Sequence, residues 1–150
     1  MASVHSYPDA SFKAGTGVNT TTAVYKAVYL SAENTVSICN TATNLGAFVG
    51  ILQDYANTTG VSVPVRLAGS TKAILKGASI TAGNMVTIAL GTATALGHVI
   101  PSPNKVANTA GGSMMVLGTC QTGSQGGTGT VCEIVLRPFI SSALTTTISV

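Results

Sequence analysis

The amino-acid sequence predicts an all-β protein, a small barrel or sandwich of short strands that contains two related β-hairpins. Three observations predict it. Residues 61–67 alternate, with Val61, Val63, Val65 and Leu67 on one side and Ser62, Pro64 and Arg66 on the other, the period of a half-buried strand. Composition agrees: 22 threonines, 17 glycines, 45% apolar residues that are chiefly Ala and Val, and no Trp. β-Branched side chains suit a pleated surface and glycine punctuates it with turns. The third observation is a repeat. Leu45–Leu67 recurs as Val116–Leu136: Val49-Gly50-Ile51-Leu52-Gln53 matches Leu117-Gly118-Thr119-Cys120-Gln121. Thr59-Gly60 matches Thr128-Gly129, and Val63-x-Val65-x-Leu67 matches Cys132-x-Ile134-x-Leu136. One inserted loop residue reconciles the two spacings.

Taken in order, Met1–Thr22 lacks any sustained apolar period and reads as an extended N-terminal arm, 1–22, that is ordered only against a neighbour. Ala23–Leu30 is rich in Val and Tyr and is expected as a strand. Thr35–Cys39 is a short strand and Asn40–Asn44 a turn. The first hairpin follows, its loop Asp54–Thr59 rich in Asn, Asp and Thr. Pro64 removes one backbone donor, which places it at an edge or where its carbonyl side faces outward. Ala68–Ser70 turns the chain, Thr71–Leu75 is a strand, and Met85–Leu90 another. Pro101–Lys105 is a surface loop whose two prolines oppose pairing, and Ala107–Gly112 is a small-residue linker. After the second hairpin, Pro138 ends the strand. The expected organisation is therefore an arm, 1–22, a β-rich body, 23–138, and a C-terminal tail, 139–150. At 150 residues one domain is expected, burying roughly two-thirds of its unfolded surface.

Only 7% of residues are charged, against about 25% in an average soluble domain. So little charge leaves a lone monomer poorly solvated, and much of the surface is expected to be covered by partners. The basic residues Lys13, Lys26, Arg66, Lys72, Lys76, Lys105 and Arg137 are scattered, whereas nucleic-acid binding clusters them. No nucleic-acid partner is expected. No membrane partner is expected either, since no apolar run approaches the ~20 residues of a spanning helix. The start MASVHSYPDASF has neither the basic nor the apolar part of a secretion signal.

Candidate chemical groups are few. Gly123-x-x-Gly126-Gly127-x-Gly129 sits between two strands with no Lys-Ser/Thr after it, so it reads as a loop and not a phosphate cradle. The carboxylates are Asp9, Glu33, Asp54 and Glu133, none placed to make an acid–base pair. Asp54 reads as a turn residue and Glu133, matching Pro64, as an outward-facing one. His5 and His98 have no ligand-type neighbour at metal spacing. Asp54 with Asn57 and Thr58 offers oxygens to calcium, but such sites normally hold two or more carboxylates. Cys39, Cys120 and Cys132 are an odd number without metal-ligand spacing. Cys120 and Cys132 fall on facing strands, and the preferred reading of all three is small buried hydrophobes in a reducing cytoplasm. No catalytic, cofactor-binding or metal-binding residue is assigned, no cofactor is expected, and the chain is not expected to be an enzyme.

The order of the pieces carries a resemblance. A strand through Gly50, a polar loop, V-x-V-x-V-x-L-x-G from Val61 to Gly69, then G-x-x-I-x-x-G-N-x-V from Gly77 to Val86, and finally the hairpin closing on Glu133-Ile134-Val135-Leu136 resemble the small capsid decoration, or cement, proteins of tailed bacteriophages. Relatives usually carry Gly-Asp-x-Val where this chain has Gly83-Asn84-Met85-Val86. The likeness spans Val24–Pro138, and the arm and tail lie outside it. It implies an all-β fold, a homotrimer, and a seat on the outer surface of the virion where major capsid protein subunits meet. The other function class in view is a receptor- or glycan-binding β-module of a fibre or surface layer, for which four tyrosines without Trp give little aromatic platform.

Overall fold

The computed structural model describes residues 9–77, 79–89, 96–101, 114–123 and 127–141. It is all-β. Among the described residues ten strands follow one another: β1 (Ala10–Ala14), β2 (Ala27–Ala32), β3 (Thr35–Ile38), β4 (Phe48–Leu52), β5 (Ser62–Arg66), β6 (Gly69–Ile74), β7 (Met85–Ile88), β8 (Val99–Pro101), β9 (Met114–Thr122) and β10 (Val131–Ser141). Two 3-10 turns, Thr21–Ala23 and Ala42–Ala47, lead into β2 and β4.

The first five strands close a barrel in the order β1-β3-β2-β4-β5. Its neighbours are antiparallel except β1 and β3, which run parallel. The last five form a sheet in the order β6-β10-β9-β7-β8, antiparallel throughout. A parallel bridge between Leu75 and Val99, with Lys76 N–H donating to Val99 O at 2.9 Å, returns the β8 edge to the chain just past β6. The second sheet therefore curls into a barrel of the same strand order as the first, with β6 to β10 standing for β1 to β5.

The correspondence holds residue by residue. Ile51↔Arg66 and Leu52↔Val65 in β4–β5 have the register of Thr119↔Val135 and Cys120↔Ile134 in β9–β10. Val28↔Gly50 matches Val86↔Gly118, and Phe12↔Val63 matches Ala73↔Cys132. Loop hydrogen bonds repeat too. Gly60 N–H donates to Ala14 O (2.7 Å) as Gly129 N–H donates to Leu75 O (2.9 Å), and Tyr25 N–H to Leu52 O (2.8 Å) as Gly83 N–H to Cys120 O (2.9 Å). A Cβ on Gly50 would run into the carbonyl of Arg66, and one on Gly118 into that of Val135. The repeated hairpin is thus the legible half of a duplication that covers both barrels.

Two cores result. Ala14, Val18, Val28, Val36, Leu52, Val63 and Val65 fill the first barrel. Leu75, Val86, Val99, Leu117, Cys132 and Ile134 fill the second, joined there by Ala27, Cys39 and Ile51 from the first barrel's outer wall. Successive strand residues point to opposite faces, so Ala27/Val28, Ile38/Cys39 and Ile51/Leu52 each divide between the two cores. Each fully buried Val, Leu or Ile side chain stabilises the fold by about 1.5–3 kcal/mol relative to exposure.

Several expectations need correction. The segment 1–22 is not an arm throughout: Ala10–Ala14 is β1, hydrogen-bonded to β3 and β5, and Val18 is fully buried. With one large inward side chain, Phe12, and Ala14 beside it, β1 is too short to declare an apolar period. Met1–Pro8 lie outside the described residues. The boundary at 138 also moves. β10 runs on to Ser141, with Phe139 and Ile140 paired to Val116 and Met115. Pro138 is absorbed by a register shift between Leu136 and Phe139, at a point where β6 has already ended its pairing. Residues 142–150 lie outside the described ones. Of the expected inward set only Val63 and Val65 are buried, whereas Val61 and Leu67 are exposed because β5 spans only Ser62–Arg66. The strand expected from Leu45 begins at Phe48, and that expected from Ala23 begins at Ala27. Pro64 lies on no edge, since the barrel is closed, and its carbonyl accepts Gln53 N–H at 2.9 Å. Pro101, expected in a loop, ends β8 opposite Val86.

Candidate functional site

The two barrels meet at a seam, and its chemistry follows from one difference between them. In the first barrel Lys13 N–H donates to Asn34 O at 2.8 Å, beside the Ala14↔Val36 pairing, which locks β1 to β3. The equivalent groups of the second barrel are Ile74 N–H and Gly97 O. They bond the first barrel instead: Ile74 N–H donates to Tyr25 O (3.1 Å) and Ala27 N–H to Gly97 O (2.7 Å). The stretch Tyr25–Ala27 is inserted there. The repeat calls for a left-handed backbone at this position. Tyr25 has φ 65° where its counterpart Gly83 has φ 89°, a left-handed conformation that disfavours a side-chain-bearing residue by about 1–2 kcal/mol.

Beside the seam lies an open cleft of about 330 Å³, between Tyr25 and Gln53 of the first barrel and Thr71, Lys72, Gln121 and Glu133 of the second. Gln53 Nε2 donates to Ile51 O and to Thr71 Oγ1, each at 2.9 Å. Lys72 Nζ lies 5.8 Å from the centre of the Tyr25 ring, within cation–π range. Glu133 stands opposite Lys72 in the β6–β10 ladder. Arg66 ties the barrels together, pairing with Asp9 on one side and donating from Nη1 to Ser70 O (2.8 Å) on the other.

The cleft offers amides, a cation, a carboxylate and an aromatic ring, but no activated nucleophile. All three cysteines are free and buried. Burial pushes the Cys39 and Cys132 thiols up to about 12 and raises that of Cys120 as well, so they stay protonated and inert. Asp54 Oδ1 accepts Tyr55 N–H at 2.8 Å, the turn role its position suggests. Asp9 is held by Arg66, and Glu33 and Glu133 are exposed on separate elements. Asn57 and Thr58 lie exposed in the β4–β5 loop. Among the described residues no three His, Cys, Asp or Glu gather as metal ligands. His98 is buried at the seam with Nδ1 unbonded. Desolvation first, then the nearby Lys26, lower its pKa, and Lys76 adds to this while a hydrogen bond involving the Leu75 backbone opposes it. His5 and Gly126 lie outside the described residues. No described helix is long and apolar enough to cross a membrane.

The surface carries a second feature. Leu30, Val61, Leu67, Met85 and Val131 are large apolar residues left exposed on a chain with few charges to separate them. Sequence reasoning missed Tyr25 and the cleft, although it aligned Gln53 with Gln121. Both glutamines line the same cleft because the two repeats face each other there. Set beside known proteins, the chain matches no model of a protein family and no curated protein.

Proposed function

We propose that this protein decorates the capsid of a tailed bacteriophage, binding the outside of the shell as a homotrimer and holding neighbouring major capsid protein subunits together. The observation that carries the reading is the ordered set of strand-and-turn motifs from Val24 to Pro138. The all-β fold and the exposed apolar residues on a weakly charged surface agree with it. The mechanism is mass action. A protein that binds the assembled shell and not its separated subunits stabilises assembly by RT ln(1 + [L]/Kd), about 2.7 kcal/mol per site at a hundredfold excess over Kd. Three linked subunits raise the effective concentration at neighbouring sites. The test is to mix the purified protein with shells of the parent phage. Saturable co-sedimentation in fixed ratio to the major shell protein, with a higher shell melting temperature, is expected. Shells that sediment without it would end the reading.

The cleft favours one second reading, a glycan-binding module. An aromatic ring, two amides and a carboxylate are groups that suit sugar hydroxyls, and Tyr25 holds its ring there against backbone strain. Titration with a panel of neutral hexoses that perturbs Tyr25 and Gln53 resonances would favour it over capsid binding.

A further inference from the structure

The repeat shows one place where the second core departs from the first in chemistry. In the first barrel Leu52 of β4 and Val63 of β5 face the core from adjoining strands, and both are buried. The registers place Cys120 of β9 and Cys132 of β10 at these same two positions. An apolar pair in one copy is thus a thiol pair in the other, and two of the chain's three cysteines fall on it. The two thiols touch: they hydrogen-bond each other inside the second core. Cys120 Sγ also donates to Thr122 O at 3.0 Å. Beside the pair the ladder shifts register, with Cys120 opposite Ile134 and Thr122 opposite Glu133, so Gln121 is an extra residue. A bulge of this kind increases the local twist of the two strands. Burial alone raises the Cys39 thiol, with no contribution from another cysteine.

We propose that Cys120 and Cys132 form a dithiol site that oxidised glutathione converts into a cross-strand disulfide closing the β9–β10 hairpin. The thiolate of one cysteine attacks the oxidant's S–S bond, forms a mixed disulfide and releases one glutathione thiol. The second cysteine, as its thiolate, displaces the other glutathione. The two cysteines lose two protons and two electrons, and the oxidant leaves as two reduced thiols. Both thiols are buried and stay protonated in the packed hairpin. Exchange therefore takes place while the hairpin is open, and packing then holds the two sulfurs together. The bond closes the loop from Cys120 to Cys132, and such a link stabilises chiefly by restricting the unfolded chain. In a reducing compartment the pair stays open. This inference rests on the repeat and the thiol contact, independently of capsid binding.

The test refolds the full-length protein from urea in buffers of set oxidised-to-reduced glutathione ratio, with parallel samples kept in urea in the same buffers. Free thiols are trapped by alkylation and the linkages mapped by mass spectrometry. A Cys120–Cys132 bond with Cys39 free is expected. At one buffer ratio, the proportion of oxidised to reduced protein should be at least about tenfold higher in the folded samples than in urea. The oxidised protein should also melt at a higher temperature than the reduced one. An equal or lower proportion in the folded samples, or linkages shared with Cys39, would overturn the proposal. Cys132→Val, which restores the first barrel's residue, and Cys132→Ala should each fold and melt at a temperature that ignores the glutathione ratio. A response of parental size in either variant would overturn it as well.

Discussion

The two barrels share strand order, pairing register and loop hydrogen bonds, yet one is shut and the other is plugged. The first closes itself with Lys13 bonded to Asn34. The second leaves Ile74 and Gly97 to be bonded by Tyr25 and Ala27 of the first. The difference teaches that the five-strand unit specifies its own ladder, while the seam residues decide whether it stands alone or takes a neighbour. It also explains the unlike sequences of equivalent strands. Ala27 and Ile51 are apolar because they are buried at the contact, and Thr119 is polar because its position is open.

The comparison breaks hardest in the cores. Val65 and Ile134 are equivalent and fully buried, and an isolated buried carboxylate costs several kcal/mol. Val65→Asp and Ile134→Asp should each abolish the cooperative melting of the whole chain, read by circular dichroism. Loss of only one barrel's signal would show that the units are independent. A smaller test lies at the paired glycines. Gly50→Ala and Gly118→Ala each drive a methyl into a strand carbonyl, so each should cost about 2–3 kcal/mol in urea unfolding. Unequal losses would mean that one ladder can spread and the other cannot.

The left-handed pair sharpens the comparison further. A Cβ on Gly83 meets open space, so Gly83→Ala isolates backbone strain and should cost about 1–2 kcal/mol. Tyr25→Gly relieves the same strain but loses the Lys72 contact, worth about 0.5–1 kcal/mol. Its net change should lie between none and about 1.5 kcal/mol of added stability. The smallest effect concerns pH. His98 occupies the position of Thr35 in the first barrel. Its folded pKa lies below the ordinary value of about 6.5, so the unfolded chain binds the proton more readily. Its contribution to stability is present above about pH 6.5 and is lost as pH falls through and below that value. Melting temperatures measured from pH 8 to pH 5 should fall less steeply in His98→Thr than in the parent.

The all-β class was legible from alternation at Val63 and Val65 and from Thr/Val/Gly composition. One hairpin repeat was legible because Gly50 and Gly118 each meet the equivalent carbonyl of the facing strand, that of Arg66 or of Val135, and have no room for a side chain. The rest of the duplication was not. Equivalent positions such as Ala27 and Met85, or Phe12 and Ala73, sit in different surroundings, so their side chains differ widely in size even though their backbones share register. The cleft was illegible for a related reason: it joins Gln53 of one repeat to Gln121 of the other, and no local pattern reports contact between repeats. Pro138 misled because a proline usually ends a strand, and here a bulge carries the strand past it.

The wall shared by the two cores has a consequence for synthesis. Over Gly50–Leu52, strand β4 has no solvent face in the finished protein: Leu52 looks into one core and Ile51 into the other. Chains emerge from the ribosome N-terminus first, at about 5–20 residues per second. The first barrel is complete once β5 has emerged, and until β6 to β10 follow, Ala27, Cys39 and Ile51 stand bare. For those seconds the nascent chain displays a greasy wall to every other nascent chain nearby. Slow codons between β5 and β6 should therefore raise aggregation, whereas slow codons after β10 should not.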